Sequence, residues 1–292
     1  MDAKTIESMS TQTAFITGAA TGIGKALVQK LDREGWRCFA GYNRQTADEL
    51  LAGCSARTRA VRCNVADGQS VKSALAQIES SLGDGSLDLL VNNAATTGNA
   101  GGGIENIDIE HFKALFDVNF WGPIRVTQAA LPLIRRSPRG RIINVGSASQ
   151  YLTIPIGCSY PVTKSALQRV TQALRAEMKP FGIEVSCLEP GGVQTDMLDV
   201  TEAQEAELWD SFPETLLPQY KAHFKFPGDA IKATFPFWSA EKFADRVYRD
   251  VIQAKKLKPN YLLGPGVWVL PVMKRALPDA MLERIYDRMF RR

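Results

Sequence analysis

Residues 13 to 24 read TAFITGAATGIG, a short apolar run that passes straight into a glycine-rich turn, which in turn opens an amphipathic segment reaching Glu34. A strand that feeds a helix through so tight a turn leaves the chain on one face of a sheet, and the next strand must return parallel to the first. The rest of the chain repeats this pattern. Strands are expected at RCFAGY, RAVRCNV, LDLLVNN, RIINVGS, IEVSCLE and a short NYLLG, with a short helix near 46–53, a helix over 67–82 capped by Asp67, and long helices over 110–136 and 159–179. The expected fold class is therefore α/β, a doubly wound parallel sheet of about seven strands with helices on both faces.

No linker rich in proline, glycine or serine interrupts residues 11–195, and no internal repeat is visible, so the reading is a single domain over 1–292. Within it, residues 11–195 hold the unbroken alternation of strands and helices. Residues 196–240 carry Trp209, Phe212, Tyr220, Phe224, Phe226, Phe235, Phe237 and Trp238 among prolines and charges. They suit a substrate lid over the strands' carboxyl ends, or ordinary packing of the same helices. Residues 241–292 supply C-terminal helices and the last strand.

Charge narrows the function classes. The chain has 292 residues and a formal charge of +4, but residues 255–292 carry +6 and the remainder −2. A basic stripe with interleaved aromatics is missing from the main body, so nucleic acid is not an expected partner. Five cysteines, none spaced for a metal site, and only two histidines leave no metal centre in prospect. No apolar run is long enough to span a bilayer, and the first residues lack the features of an export signal, which points to a cytoplasmic protein. In the tail, Met281, Leu282, Ile285 and Met289 form a stripe beside Arg284, Arg288, Arg291 and Arg292. Fold-back or subunit packing is preferred for it over contact with a membrane surface.

The glycine turn has the spacing Gly18, Gly22, Gly24, which lets backbone N–H groups and a helix N-terminus approach a pyrophosphate without an intervening Cβ. The second strand ends in AGYNR, with no acidic residue to accept a bond from a ribose 2′-hydroxyl. Asn43 and Arg44 are placed to meet a 2′-phosphate instead, which favours NADP with NAD as the alternative; Arg44 as a solvated loop charge is the competing reading. At the far end of the sheet, GSASQ ends the fifth strand with Ser147, and YPVTK opens a helix with Tyr160 and Lys164 one turn apart.

The ordered set TGAATGIG, VNNAA, DVNFWG, GSASQ, YPVTK and PGGVQT resembles the short-chain dehydrogenase/reductase family over residues 11–195, and the tail is similar, more loosely, to its retinoid, hydroxysteroid and hydroxybutyrate branch. The resemblance implies a Rossmann fold and a catalytic tetrad of Asn119, Ser147, Tyr160 and Lys164. It also implies that Gly18, Thr21, Gly22, Ile23 and Gly24 line the pyrophosphate, Asn64 and Val65 the adenine, Asn93 and Ala94 the adenine ribose, and Pro190, Gly191, Val193 and Thr195 the nicotinamide. Two positions depart from the family pattern: Asn64 stands where an acidic residue is common, and Ala95 follows NNA where glycine is usual.

Tyrosine ionises near pH 10, so proton transfer near neutrality needs roughly 4 kcal/mol of preferential phenolate stabilisation. An ammonium about 5 Å away contributes roughly 3 kcal/mol at an effective dielectric near 20. The expected cofactor is NADP or NAD, with Tyr160 and Lys164 also touching it. The expected reaction interconverts a ketone and a secondary alcohol on a hydrophobic molecule. Ser147, Gln150, Tyr151, Cys158 and Tyr160 are candidate substrate contacts, with a plain strand-to-helix connection as the even alternative for the residues between Ser147 and Tyr160. Family members pair through the two long helices, which implies a homodimer or homotetramer. A catalytically silent nucleotide-binding scaffold is the rival reading, and an epimerase or dehydratase ranks last.

Overall fold

Seven short runs, apolar on both sides of the chain, can satisfy their backbone groups and bury both faces only by pairing side by side beneath helices. In the computed structural model, residues 11–98, 102–198 and 202–292 are described, so residues 1–10, 99–101 and, within the expected lid, 199–201 lie outside. The strands are β1 (Thr13–Ile16), β2 (Arg37–Tyr42), β3 (Arg59–Arg62), β4 (Leu89–Asn92), β5 (Arg141–Val145), β6 (Glu184–Pro190) and β7 (Asn260–Leu263). They form one sheet in the order β3-β2-β1-β4-β5-β6-β7, with every neighbouring pair parallel. The direction of winding reverses between β1 and β4, which opens a crevice beyond their carboxyl ends.

The helices follow in chain order: α1 (Gly22–Arg33), α2 (Ala47–Leu51), α3 (Gly68–Leu82), α4 (Ile109–Phe116), α5 (Gly122–Ile134) and α6 (Ser159–Met178). Beyond β6 come α7 (Glu202–Asp210), α8 (Leu217–His223), α9 (Pro227–Thr234), α10 (Ala240–Val247), α11 (Val269–Ala276) and α12 (Asp279–Phe290). Alternate strand residues feed two cores. Ala14, Ile16, Val91 and Val145 pack with Leu27, Leu31, Phe243 and Val247 on the α1 and α10 face. Phe15, Phe39, Leu90, Ile142 and Val185 pack with Val71, Ile78, Val126 and Ala130 on the α3 and α5 face. Asp67 caps α3, its Oδ1 accepting from the Gln69 amide at 2.8 Å.

The helix expected over 110–136 is interrupted. Between α4 and α5 the chain makes a π turn, Asp117–Trp121, in which the Gly122 N–H reaches the Asp117 carbonyl. The cause is local: Pro123 has no N–H to give the Asn119 carbonyl, so the α-helical ladder cannot continue through this point.

The insertion after β6 builds its own small core, in which Leu208, Trp209 and Phe212 enclose Ile156 with Leu217, Tyr220, Phe224 and Phe226 around them. The tail folds back. Helix α12 buries Leu282, Tyr286 and Phe290, while Met281 and Ile285 of the expected stripe stay 48% and 39% exposed. Its end is stitched to the lid by Lys225 N–H to the Phe290 carbonyl (2.7 Å) and Arg292 N–H to the His223 carbonyl (3.0 Å). Among the described residues no helix is long and apolar enough to cross a membrane.

Candidate active site

At the crevice, Gly18 and Gly22 adopt φ of 62° and 53°, the left-handed region that glycine enters without a steric cost. The space is closed to any side chain: a Cβ on Gly24 would meet the Gly18 carbonyl oxygen at 2.2 Å, and one on Gly18 would meet Ala94 Cα at 2.7 Å. Thr21 is the N-cap of α1 but makes no side-chain cap bond, and the first turn holds no acidic residue. The amide-lined cradle at this helix start suits a pyrophosphate. Ile23 is half-buried beside it.

Residues far apart in sequence converge on this turn. A Cβ on Gly22 would meet Thr195 Cγ2 at 3.0 Å, so the segment after β6 lies against the cradle. The Ala19 amide donates to the Gly41 carbonyl at 2.7 Å, tying the turn to the end of β2, beyond which Asn43 and Arg44 are exposed. Asn93 Nδ2 donates to the carbonyls of Thr17 (3.0 Å) and Gly18 (2.9 Å). Both its amide hydrogens are thereby spent on holding the turn, so its side chain is a clamp more than a ribose contact. Ala94 is held by its amide to Thr17 Oγ1 at 3.1 Å. Asn64 Oδ1 accepts from the Ala66 amide at 3.2 Å, which leaves one lone pair for an adenine. Val65 is buried against Gly122.

Pro190 closes β6, and the Gly191 amide donates to the Leu263 carbonyl at 2.8 Å. Val193 is 3% exposed and bridges Trp238, so it packs in the core beneath the nicotinamide side of the crevice more than it borders it.

The expected tetrad meets at the sheet's carboxyl edge. Ser147 ends the segment after β5 and caps a 3-10 turn, Ala148–Tyr151, its Oγ accepting from the Ser149 amide at 3.1 Å. The Tyr160 phenol, in the first turn of α6, lies near enough to the Ser147 side chain for that hydroxyl to favour its ionised form. Lys164, one turn on and 1% exposed, places its ammonium 5.6 Å from the centre of the Tyr160 ring and donates to the Val145 carbonyl at 2.8 Å. Sequence reasoning expected this ammonium to acidify the phenol. Instead burial dominates both groups. Desolvation pushes Tyr160 up to about 12, against a lowering bond from Ser147, and pushes Lys164 down to about 8. Among the described residues the lysine's hydrogen bond is to a backbone carbonyl, so on its own the chain holds a neutral phenol beside a costly buried cation.

Asn119 completes the set of expected residues at this edge. It is fully buried in the π turn, its Nδ2 donating to the Thr96 carbonyl (2.8 Å) and Thr163 Oγ1 (3.2 Å) and its Oδ1 accepting from the Thr96 amide (2.9 Å). The side chain thus staples the segment after β4 to α6. Its main-chain carbonyl, deprived of a partner at Pro123, is the atom suited to holding a water.

Of the candidate substrate contacts, Gln150 is 9% exposed, and both polar atoms of its carboxamide are buried with no protein partner. Cys158 is half-buried and precedes α6, its thiol pushed up by burial. Tyr151 is half-buried; its hydroxyl donates to Glu189 Oε2 at 2.8 Å and its ring packs with Val267 and Leu270, so it supports the loop. Ile156, in the same loop, has φ of 49°, a strained conformation for a β-branched residue, and its carbonyl accepts from the Gly102 amide at 3.1 Å.

Several supporting residues escaped the sequence reading. Asn92, Thr127, Asn144 and Thr171 form a buried polar belt, with Asn92 Nδ2 donating to Asn144 Oδ1 (2.8 Å) and Thr127 Oγ1 (2.9 Å), and Asn144 Nδ2 to Thr171 Oγ1 (2.9 Å). Gln168 and Glu189 meet at 2.9 Å. Gln168 had a signal, because it continues the ridge Tyr160, Lys164, Gln168 at steps of four.

This arrangement has known counterparts. The pattern of the short chain dehydrogenase family matches residues 12–206, two thirds of the chain and all of the site. The chain belongs to that family. Among curated relatives of this short-chain dehydrogenase, the mitochondrial D-beta-hydroxybutyrate dehydrogenase of Bos taurus is 34% identical over 75% of this chain and 66% of its own length. Estradiol 17-beta-dehydrogenase 2 of Mus musculus is 31% identical over 94% of this chain and 74% of its own. A short-chain dehydrogenase from Streptomyces avermitilis superposes with a TM-score of 0.73 at 24% identity, covering 95% of this chain and 96% of that one. One from Burkholderia cenocepacia, solved in complex with NADP, gives 0.69 at 25% identity over 88% and 97%. A short-chain dehydrogenase is an oxidoreductase.

Proposed function

We propose that the protein is an NAD(P)-dependent oxidoreductase that interconverts a ketone and a secondary alcohol on a hydrophobic molecule, with Tyr160 as general acid and base. The observation that carries this reading is the buried Lys164 ammonium 5.6 Å from the centre of the Tyr160 ring, one helical turn away, with the Ser147 side chain beside the phenol. When bound, a nicotinamide supplies the hydride and, in its oxidised form, a positive charge. The Gly18–Gly24 cradle would hold its pyrophosphate, and Asn43 and Arg44 would select a 2′-phosphate, hence the preference for NADP.

In reduction a neutral phenol is what the chemistry needs. Tyr160, held protonated by burial, donates to the oxygen of the carbonyl, and Ser147 holds that oxygen from its other side as negative charge grows. Lys164 steadies the phenolate left behind and grips the cofactor ribose. The Asn119 carbonyl would hold a water that returns a proton towards Lys164. In the oxidative direction the phenol must first ionise, which burial opposes and a cationic ring relieves.

Apolar substrates are supported by the lid, whose Leu208, Trp209 and Phe212 pack on Ile156 of the loop joining Ser147 to Tyr160. The names of the relatives put a short hydroxy acid and a steroid on the test panel. A homo-oligomer and a cytoplasmic setting belong to the same proposal, the latter supported by five unpaired cysteines, three of them buried.

The test is nicotinamide absorbance across a panel of bulky ketones and their alcohols. Turnover is expected, and Tyr160→Phe should cut it at least about a hundredfold while cofactor affinity stays within about twofold. Tight NADPH binding without consumption of any panel member would support the silent scaffold instead. For cofactor choice, Arg44→Ala should weaken NADPH severalfold and leave NADH nearly unchanged; equal losses would remove the preference for NADP.

A further inference from the structure

Glu189 sits on β6 with no exposed surface and no cation bonded to it. A buried carboxylate is expensive unless each oxygen is bonded, and here both are: Oε2 accepts from the Tyr151 hydroxyl at 2.8 Å and Oε1 from Gln168 Nε2 at 2.9 Å. Charge-assisted bonds of this kind are short, strong and directional. The two donors come from the two segments that carry the catalytic groups. Tyr151 ends the 3-10 turn that Ser147 opens, and Gln168 lies one turn beyond Lys164 on the ridge that begins at Tyr160.

Glu189 therefore sets the distance between the serine's turn and the tyrosine's helix. The turn has few other fixings. Within it are the Ser149 amide to Ser147 Oγ bond, the Leu152 amide to Ser149 carbonyl bond (2.9 Å) and a long 3.4 Å bond from the Gln150 amide to the Ser147 carbonyl, while Ser149 Oγ and the Gln150 carboxamide have no protein partner. The other firm anchor comes from the chain's far end. Tyr286 of α12 donates its hydroxyl to the Tyr151 carbonyl at 2.7 Å. Helix α12 also packs Phe290 against Ile154 and is joined by backbone bonds to the lid at 223–225.

We propose that Tyr151 and Glu189 are positioning residues for Ser147, and that Tyr286 makes α12 the strut joining the lid to the catalytic serine's turn. A lid that shifts on a substrate would pull on α12, and through Tyr286 and Tyr151 the pull reaches Ser147. The inference rests on the oxidoreductase reading for its kinetic consequence, but not for its structural one.

Two measurements test it on the full chain. In the first, amide hydrogen exchange of the protein alone is followed over residues 147–154. Tyr151→Phe and Tyr286→Phe should each speed exchange there by about tenfold, the effect of losing one well-made bond of about 1.4 kcal/mol. The control is Tyr261→Phe on β7, which loses a comparable phenol bond from the Lys258 amide (3.1 Å) away from the turn, and it should leave that segment unchanged. In the second, with the ketone most rapidly reduced in the panel, Tyr151→Phe and Tyr286→Phe should lower kcat about tenfold at an unchanged Kd for NADPH, while Tyr261→Phe keeps wild-type kcat. Exchange and kcat unchanged in both Tyr151→Phe and Tyr286→Phe, or losses matched by Tyr261→Phe, would overturn the proposal. If no panel member is turned over at all, the oxidoreductase reading is what fails, and the exchange result alone decides whether the strut exists.

Discussion

Lys164 shows what the site costs the fold at the scale of one residue. Its value falls from 10.5 to about 8 because the ammonium is desolvated, which amounts to roughly 3 kcal/mol against folding at neutral pH. Losing its bond to the Val145 carbonyl would return about 1–3 kcal/mol of that. Lys164→Met should therefore fold with an equal or higher Tm while losing turnover, the trade expected where a residue is kept for chemistry. The pH dependence has a definite sign. Below about pH 8 the folded state carries the buried charge; between about 8 and 10.5 the unfolded chain binds a proton that the folded one does not, so stability owed to this group rises with pH across that window. The Tm gap between wild type and Lys164→Met should narrow as pH is raised from 7 to 10, and thermal melts across that range check it. A variant that melts far below wild type would show that the lysine is a structural tie. The identity of such residues was legible because the Tyr160–Lys164 spacing and the glycine turn are local. The uses of Asn93, Asn119 and Tyr151 were not, since each is settled by a partner 23 to 76 residues away.

Among the elements, the strands could be read because burial on both faces leaves unbroken apolar runs, and the cap at Asp67 because it lies within three residues of its partners. The π turn was hidden. One extra residue in a helix barely disturbs apolar periodicity, and the proline that causes it sits at a position where proline also opens helices. The turn has a function in the proposal, because Pro123 offers the Asn119 carbonyl no N–H while the Asn119 side chain fastens Thr96 to Thr163. Pro123→Ala restores an N–H at the place where an α-helix would use it. The expected result is a stability equal to or above wild type, with turnover several-fold lower and its pH profile shifted, because the carbonyl becomes engaged. Unchanged rates at every pH would mean that the proton route does not pass the turn. Measurement of kcat between pH 6 and 9 alongside a thermal melt separates these outcomes.

For the molecule as a whole, one unburied apolar surface spans α4, the π turn and the start of α6. Ile109 is 57% exposed, Trp121 50% and Val162 43%, and Ile109, Phe112, Lys113, Phe116 and Trp121 line a shallow cavity of about 360 Å³. These side chains stand on α4, the π turn and the first turn of α6, so the elements that carry Asn119 and Tyr160 are also the ones left uncovered. A monomer rarely keeps so many large apolar groups together on adjoining helices, and a second copy related by a two-fold axis would cover Trp121 with the same surface it presents. Pairing would also stiffen the π turn and the start of α6 from outside, where the lid and α12 do not reach. Light scattering after gel filtration should therefore give a particle of at least twice the 32.1 kDa chain mass. Ile109→Glu with Trp121→Glu should reduce it to the chain mass, since two carboxylates per copy would face each other across the axis. The monomeric variant should bind cofactor at the cradle as before and turn over more slowly. A wild type that runs as a monomer would refute the pairing, and an assembled double variant would move the interface to the exposed Trp268 and Val272 on the C-terminal side.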